Sequence, residues 1–214
     1  VVFLIMEQPD MGTMSVIAAF SMAVFFVSGV AWQYIVMFLI GAAALFRAFI
    51  YTSPYRLQRL TVFLNPDSGT SAAAYHINQA LLAIGSGGWF GLGFGQSKQK
   101  YLFLPEPHTD SIFAIIGEEL GFIRASLIIL AFVFIAWRGF KIAKEAPDKF
   151  SQLVATGITT WFLWQAFVNI GAMVGVLPLT GVPLPFISYG GTSLIVNFAA
   201  AGILLNISRQ TSGG

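Results

Sequence analysis

Leu104-Pro-Glu-Pro-His-Thr-Asp110 runs directly into Ser111-Ile-Phe-Ala-Ile-Ile-Gly-Glu-Glu-Leu-Gly121, and a mostly apolar run continues to Trp137. At about 1.5 Å rise per residue, residues 111–137 are long enough to cross a hydrocarbon core of roughly 30 Å as a helix. Upstream, Pro105 and Pro107 forbid a helix through Glu106, because each removes an N–H and biases its predecessor toward extended backbone. Thr109-Asp110-Ser111 then offers helix-capping side chains. The sequence therefore predicts a loop-to-helix junction at a membrane surface, with Asp110 on it.

Composition agrees. The chain has 214 residues, of which 57% are hydrophobic and only 9% charged, with mean hydropathy +0.78. Soluble domains carry about 25% charged residues. The fold class expected is therefore an all-α polytopic membrane protein. A net charge of +2 with no basic run argues against nucleic acid. The absence of cysteine excludes disulfides and thiolate metal sites. The first residues, Val1-Val-Phe3, carry no signal-like pattern and no initiator methionine, so the chain reads as a fragment lacking earlier helices.

Along the chain, residues 1–6 read as the remnant of a helix, followed by a polar turn to Thr13. Spans are expected at about 13–30, with Trp32 at the interface, and at about 34–51. An interfacial loop over 52–70 carries Arg56, Arg59, Asn65-Pro66 and Ser68-Gly69. Residues 71–90 form a weaker span, interrupted by His76, Asn78, Gln79 and Gly85-Ser-Gly-Gly88, which suits a helix lined by protein or by a polar cavity. Residues 91–101 make a glycine-rich loop ending in Lys98-Gln99-Lys100, with no Gly-Lys-Ser/Thr and so no P-loop. After the span at 111–137 come a polar loop at 138–150, a span at 152–176, a segment at 177–191 rich in turn formers (Pro178, Gly181, Pro183, Pro185) and a last span at about 192–207. The count is about six transmembrane helices plus a remnant, in a single transmembrane domain over residues 1–214 and without internal repeat.

Arg47, Arg56, Arg59, Arg138, Lys141, Lys144, Lys149 and Arg209 fall on one face when the spans alternate, eight of the eleven basic residues. The positive-inside rule makes that face cytoplasmic. The Asp110 loop, the 177–191 segment, Lys98 and Lys100 then share the outer face. Asp110 has two compatible readings, a helix cap and a general base. Glu118 lies on the order of 12 Å farther along the same helix, beyond the roughly 5 to 10 Å of a glycosidase carboxylate pair. Glu118 and Glu119 read equally well as buried structural acceptors, and Arg124 as a snorkelling cation or their partner. Lys98 and Lys100 are either solvated or point charges for a pyrophosphate.

Several motifs resemble one family: Gln8-Pro-Asp-Met-Gly-Thr13, Tyr55-Arg-Leu-Gln-Arg59 with Asn65-Pro66, and Ala83-Ile-Gly-Ser-Gly-Gly88. The most specific are Leu104-Pro-Glu-Pro-His-Thr-Asp110 with Gly117-Glu-Glu-Leu-Gly121, and the segment from Asn169 through Pro185-Phe-Ile-Ser-Tyr-Gly-Gly-Thr-Ser193. Together they resemble the SEDS proteins (shape, elongation, division and sporulation), the family of FtsW, RodA and SpoVE. Tyr55-Arg-Leu-Gln-Arg-Leu60 and Gln99-Lys100 look more like the FtsW, division-type branch. Two departures stand out: many members have Phe where this chain has Ser111, and Arg124 replaces a small residue.

The resemblance implies a SEDS-type helical bundle, with ten helices in full length, that acts as a peptidoglycan glycosyltransferase. Such proteins polymerise lipid II into glycan strands at the outer face of the bacterial cytoplasmic (inner) membrane, here during cell division. It further implies lipid II and undecaprenyl-linked glycan, a class B penicillin-binding transpeptidase, other divisome proteins and the lipid bilayer as partners. Asp110 matches the family's essential extracytoplasmic-loop aspartate. In the mechanism so implied, Asp110 takes a proton from the acceptor 4-hydroxyl, which attacks the donor anomeric carbon with inversion, and undecaprenyl pyrophosphate leaves. A free Asp titrates near 3.9, and partial desolvation would make it a better base.

Lys98, Lys100 or a divalent cation (Mg or Mn) would meet the leaving pyrophosphate. No dedicated protein metal site is expected. Glu106, His108, Thr109, Gln79, Ser188 and Tyr189 complete the expected substrate contacts, Ser188 also having a structural role at a helix start. Two rival functions are a lipid II flippase and a non-catalytic divisome scaffold. The flippase needs polar groups through the membrane depth; the scaffold leaves the charges around Asp110 unexplained.

Overall fold

A computed structural model describes residues 10–51, 63 and 72–211. The remnant at 1–6, Gln8-Pro9, Tyr55 to Arg59, Asn65-Pro66 and Ser68-Gly69 lie outside the described residues. Seven helices are described: α1 Met11–Ser28, α2 Trp32–Tyr51, α3 Ala72–Gly87, α4 Gln99–Leu102, α5 Ile112–Lys144, α6 Lys149–Met173 and α7 Gly191–Thr211. No strand occurs among the described residues. Met11–Ser28, Ile112–Lys144, Lys149–Met173 and Gly191–Gln210 are long and apolar enough to cross a membrane, and Trp32–Ala44 is a shorter apolar stretch.

Two expectations change. The weak span at 71–90 is a helix of only 16 residues, about 24 Å, which falls short of a full crossing. The expected polar loop at 138–150 is mostly helix, since α5 continues to Lys144 and α6 begins at Lys149. Arg138, Lys141 and Lys144 suit the last turns of α5, where cations complement the exposed carbonyls. Lys141 and Glu145 form an exposed i,i+4 pair at 3.8 Å.

Contacts group the chain into two compact units. The first draws on Val1–Ser53, Phe132–Trp164 and Gly191–Gly214, the second on Pro54–Ala131 and Gln165–Gly190. In the first, Asp10 caps α1 by accepting from the Thr13 N–H (2.9 Å) and hydroxyl (2.6 Å). Gly29 closes the helix at φ 86°, a left-handed conformation natural to glycine. Lys149 Nζ donates to the Val27 carbonyl at 2.6 Å, satisfying an end carbonyl of α1. A Cβ on Gly139 would lie 2.2 Å from Thr159 Oγ1, so glycine permits the close approach of α5 to α6. Ile142, Ala143, Ala155, Leu204 and Ile207 form a buried cluster there.

Polarity is inverted relative to a soluble protein. Phe198 is 60% and Leu205 69% exposed, whereas Asn197 on the same helix is 1% exposed. Apolar side chains turned outward over whole helices are what a hydrocarbon surround favours.

In the second unit, Gly121 interrupts α5 with φ 78° and ψ 175°. An unbroken helix would bond the Phe122 and Ile123 N–H groups to the Glu118 and Glu119 carbonyls. Instead those N–H groups donate to Gly88 (2.8 Å) and Trp89 (3.3 Å), and the freed carbonyls accept from Leu92 and Gly93, both at 3.0 Å. The glycine-rich loop thus takes over the broken ladder and satisfies all four of these backbone groups. Such contact needs bare backbone. A Cβ on Gly91 would lie 2.2 Å from the Glu119 carbonyl oxygen, and one on Gly121 2.2 Å from the Gly91 nitrogen.

Candidate active site

The site grows from the loop over residues 103–111. Leu104 is buried at its start, and its N–H donates to Gln99. Glu106 adopts φ 46°, a left-handed conformation that costs a non-glycine residue on the order of 1 to 2 kcal/mol. Its carbonyl accepts from the Thr109 and Ser111 N–H groups at 3.3 and 3.2 Å, and its carboxylate from the Thr109 hydroxyl at 3.0 Å. The helix begins at Ile112, so Ser111, not Asp110, occupies the position before it. Ser111 is fully buried, its hydroxyl donating to Pro105 at 2.8 Å and contacting His76 Nε2 at 2.6 Å.

Three successive carbonyls of this loop are held by the segment from Asn169 to Tyr189. His108 accepts from the Tyr189 N–H at 2.8 Å. Thr109 accepts from the Ser188 hydroxyl at 2.6 Å, and Asp110 from Asn169 Nδ2 at 2.8 Å. The segment is itself braced: the Leu184 N–H donates to Ser188 Oγ (2.7 Å), Asn169 Nδ2 to Val182 (2.7 Å) and Gln165 Nε2 to Pro183 (2.9 Å). Phe186 sits at φ 64°. The two non-glycine residues with positive φ among the described residues, Glu106 and Phe186, therefore lie one on each of the stitched loops. Strain of this kind persists where surrounding structure over-determines it, often at functional sites.

The stitching shapes a cavity of about 210 Å³ whose wall includes Asp110, His76, Asn169, Thr180 and Gly181. Gly181 has φ 73°, and a Cβ there would lie 3.3 Å from Asp110 Oδ2, so glycine leaves room beside the carboxylate. Of the four carboxylates in the 104–121 stretch, Asp110 is the one on this wall. Glu118 accepts from the Ser97 hydroxyl (2.5 Å) and the Lys98 and Gln99 N–H groups (3.0 and 3.4 Å). Glu119 accepts from the Gly95 and Ser97 N–H groups (3.0 and 3.3 Å) and from Lys100 Nζ (2.8 Å). Both tie the glycine-rich loop to α5.

A sequence model of the family described as cell cycle protein, FtsW/RodA/SpoVE, matches residues 1–213. The chain belongs to this family. It is 46% identical over 209 residues to stage V sporulation protein E of Bacillus subtilis (strain 168), covering 97% of this chain and 57% of that protein. It is 41% identical to the probable peptidoglycan glycosyltransferase FtsW of Thioalkalivibrio sulfidiphilus, covering 97% of this chain and 53% of that one. The chain thus spans little more than half the length of these relatives.

Among solved structures, it superposes on a chain from a study of the structural coordination of polymerization and crosslinking by a peptidoglycan synthase complex. That match has a TM-score of 0.78 at 28% identity and covers 100% of this chain and 60% of that one. A mutant of the rod shape determining protein RodA of Thermus thermophilus matches with a TM-score of 0.64 at 29% identity, covering 100% and 54%. Family membership and the apolar helices make this a multi-pass membrane protein with the expected all-α fold.

Within this family member the expected site residues separate. Asp110 is on the cavity wall, and Thr109 is tied to Glu106 and Ser188. Glu106, His108 and Tyr189 have exposed side chains. Ser188 is buried and engaged on both sides by backbone, so it holds loops together. Gln79 is half-buried on α3 and is not among the cavity-lining residues. Lys98 is exposed, while Lys100 is turned inward onto Glu119 and the Gly95 carbonyl. The Glu119 hydrogen bond, outweighing the opposing effect of burial, raises the Lys100 pKa above the ordinary lysine value. Arg124 does not pair with Glu118 or Glu119; it donates to the Phe90 carbonyl at 3.4 Å.

Sequence reading passed over Thr180 and took His76 only as an interruption and Asn169 only as part of a motif. For His76 and Asn169, a polar or ionisable residue inside an apolar helix was the available signal. No group of three or more His, Cys, Asp or Glu among the described residues could hold a metal ion.

Proposed function

We propose that the full-length protein is a peptidoglycan glycosyltransferase that polymerises lipid II, with Asp110 as general base. The observation that carries this reading is the place of Asp110: of the four carboxylates in the 104–121 stretch it is the one that lines the cavity, on a loop whose backbone is pinned. Its loop is held by three successive backbone carbonyls, the kind of support a base needs to keep its geometry. Asp110 takes the proton of the acceptor 4-hydroxyl as that oxygen attacks the anomeric carbon of the growing chain. The configuration inverts, and the undecaprenyl pyrophosphate departs. Lys98 is the exposed cation for the leaving pyrophosphate. Lys100 acts through Glu119 as a brace of the loop.

A divalent cation, Mg or Mn, finds no dedicated cage among the described residues. A cation that came with the substrate would take its ligands mainly from phosphate oxygens and water, as Mg²⁺ commonly does, and no step here is routed through one. The site faces the extracytoplasmic side of the cytoplasmic membrane, with most basic residues on the opposite face. A class B penicillin-binding transpeptidase and other divisome proteins are the proposed partners. The synthase-complex neighbour supports that pairing of activities.

The test uses full-length protein purified with its transpeptidase and supplied with lipid II, read as a glycan ladder. Wild type gives a ladder, and a folded Asp110→Asn variant loses it by about 10²- to 10⁴-fold in rate. Equal ladders would remove Asp110 from the chemistry. No ladder from either, with lipid II still moved across vesicles, would favour a transporter.

A further inference from the structure

We propose that Asn169 and Thr180 form a hydrogen-bonding subsite beside Asp110 that takes the neutral hydroxyl and acetamido groups of the acceptor sugar. This rests on the glycosyltransferase reading above and extends it to two residues outside the expected contacts.

The Asn169 side chain is 2% exposed. A carboxamide has two N–H donors and one oxygen acceptor. Both donors are engaged, by the Asp110 carbonyl at 2.8 Å and the Val182 carbonyl at 2.7 Å. Flipping the amide would set its oxygen against two carbonyl oxygens, so the orientation is determined by its partners. Asn169 Oδ1 is left buried with no hydrogen-bond partner in the protein, and so is Thr180 Oγ1. Both residues line the cavity that Asp110 lines. Buried polar groups without partners are few in folded proteins. Of the five such atoms among the described residues, these two belong to residues on one wall beside a carboxylate, where a ligand would complete them.

The chemistry selects the ligand. Asn169 Oδ1 is an acceptor and takes an O–H or N–H. The Thr180 hydroxyl donates to, or accepts from, a second group. A carboxylate and an amide oxygen repel a phosphate, so the pyrophosphate belongs elsewhere. A hexosamine ring suits all three groups, with its 4-hydroxyl on Asp110 and neighbouring hydroxyl and acetamido groups on Asn169 and Thr180. The cavity of about 210 Å³ is smaller than the roughly 300 to 1,000 Å³ of pockets that enclose drug-sized ligands. It holds a single ring, not a glycan strand.

Thr180→Val tests this cleanly, because it removes a hydroxyl that bonds nothing in the protein while keeping the side chain's shape. With full-length protein, its transpeptidase and lipid II as probe, Thr180→Val melts no lower than wild type. Its KM for lipid II rises about 3- to 10-fold, the worth of one neutral hydrogen bond, with kcat within about twofold, and Thr180→Ser restores the KM. An unchanged KM for Thr180→Val overturns the proposal. So does a lower melting point, which would mean the hydroxyl is partnered inside the protein. The underlying reading fails separately, if Asp110→Asn polymerises as well as wild type. If no variant polymerises, lipid II titration of the melting midpoint still decides: equal shifts for wild type and Thr180→Val overturn the subsite.

Discussion

Asp110 and the Glu118-Glu119 pair lie on one short stretch of chain, yet the fold uses them in opposite ways. The two glutamates are 1% and 8% exposed, and six hydrogen bonds from the 95–100 segment reach them. Asp110 is half-buried on a cavity wall, and its backbone carbonyl is held by Asn169. A carboxylate engaged by several N–H and O–H donors has little left to offer a substrate. One whose loop is held from behind is positioned to act. The lesson is that charge density along a sequence marks a region, and only the packing shows which carboxylate within it lines a cavity.

Removing each carboxylate sharpens the contrast most. Asp110→Asn is expected to abolish polymerisation while lowering the thermal midpoint in detergent less than Glu118→Ala does. Glu118→Ala is expected to cost about 3 kcal/mol or more, because it strands the Ser97 hydroxyl and the Lys98 and Gln99 N–H groups. A Glu118→Ala protein as stable as wild type, or an Asp110→Asn protein as unstable as Glu118→Ala, would erase the distinction. Gly121→Ala comes next. Its Cβ would meet backbone at 2.2 Å in a left-handed conformation, for an expected loss of about 2 to 4 kcal/mol. Thermal unfolding and proteolysis of the 88–98 loop would read it, and a neutral result would mean that the loop and helix separate readily.

The smallest effect is electrostatic. Lys100 has a raised pKa because Glu119 accepts its proton in a hydrogen bond. A raised folded value means the contact stabilises fully below the unfolded lysine pKa and is lost as pH rises through the higher folded one. Lys100→Met should therefore melt lower than wild type at neutral pH, and the gap should close only above the ordinary lysine range of about 10.4. A gap that closed near neutral pH would assign the contact to another group. Asp148 gives the mirror case. The Ser151 hydroxyl and N–H at the start of α6 lower its pKa. Its contribution is present above the unfolded carboxylate pKa and is lost as pH falls through the lower folded value. A midpoint for Asp148→Ala equal to wild type at pH 7 would show that this exposed cap contributes nothing.

Much of the fold was legible because hydrocarbon imposes a simple rule. Spans show as apolar runs, and the residue ranges for α1, α2, α6 and α7 follow from them to within a few positions. The end of α5 was misjudged because Arg138, Lys141 and Lys144 read as loop, although long cationic side chains suit a helix end at an interface. Asp110 was legible as a candidate from its proline-stiffened, titratable neighbourhood. The engagement of Lys100 by Glu119 was hidden, since residues 19 positions apart meet only when Gly121 breaks α5 and Gly91 lets the loop in.

By itself, the sequence determined the membrane class, the helix order and the family, and it offered Asp110 as a candidate base. All of these rest on composition and local pattern, which physics reads one segment at a time. Only the tertiary structure decided which carboxylates are saturated, that Ser188 and Asn169 hold the Asp110 loop by its carbonyls, and that Thr180 faces the same cavity. Those outcomes depend on hydrogen bonds between residues far apart in the chain, and such pairings form only once the backbone has been brought together.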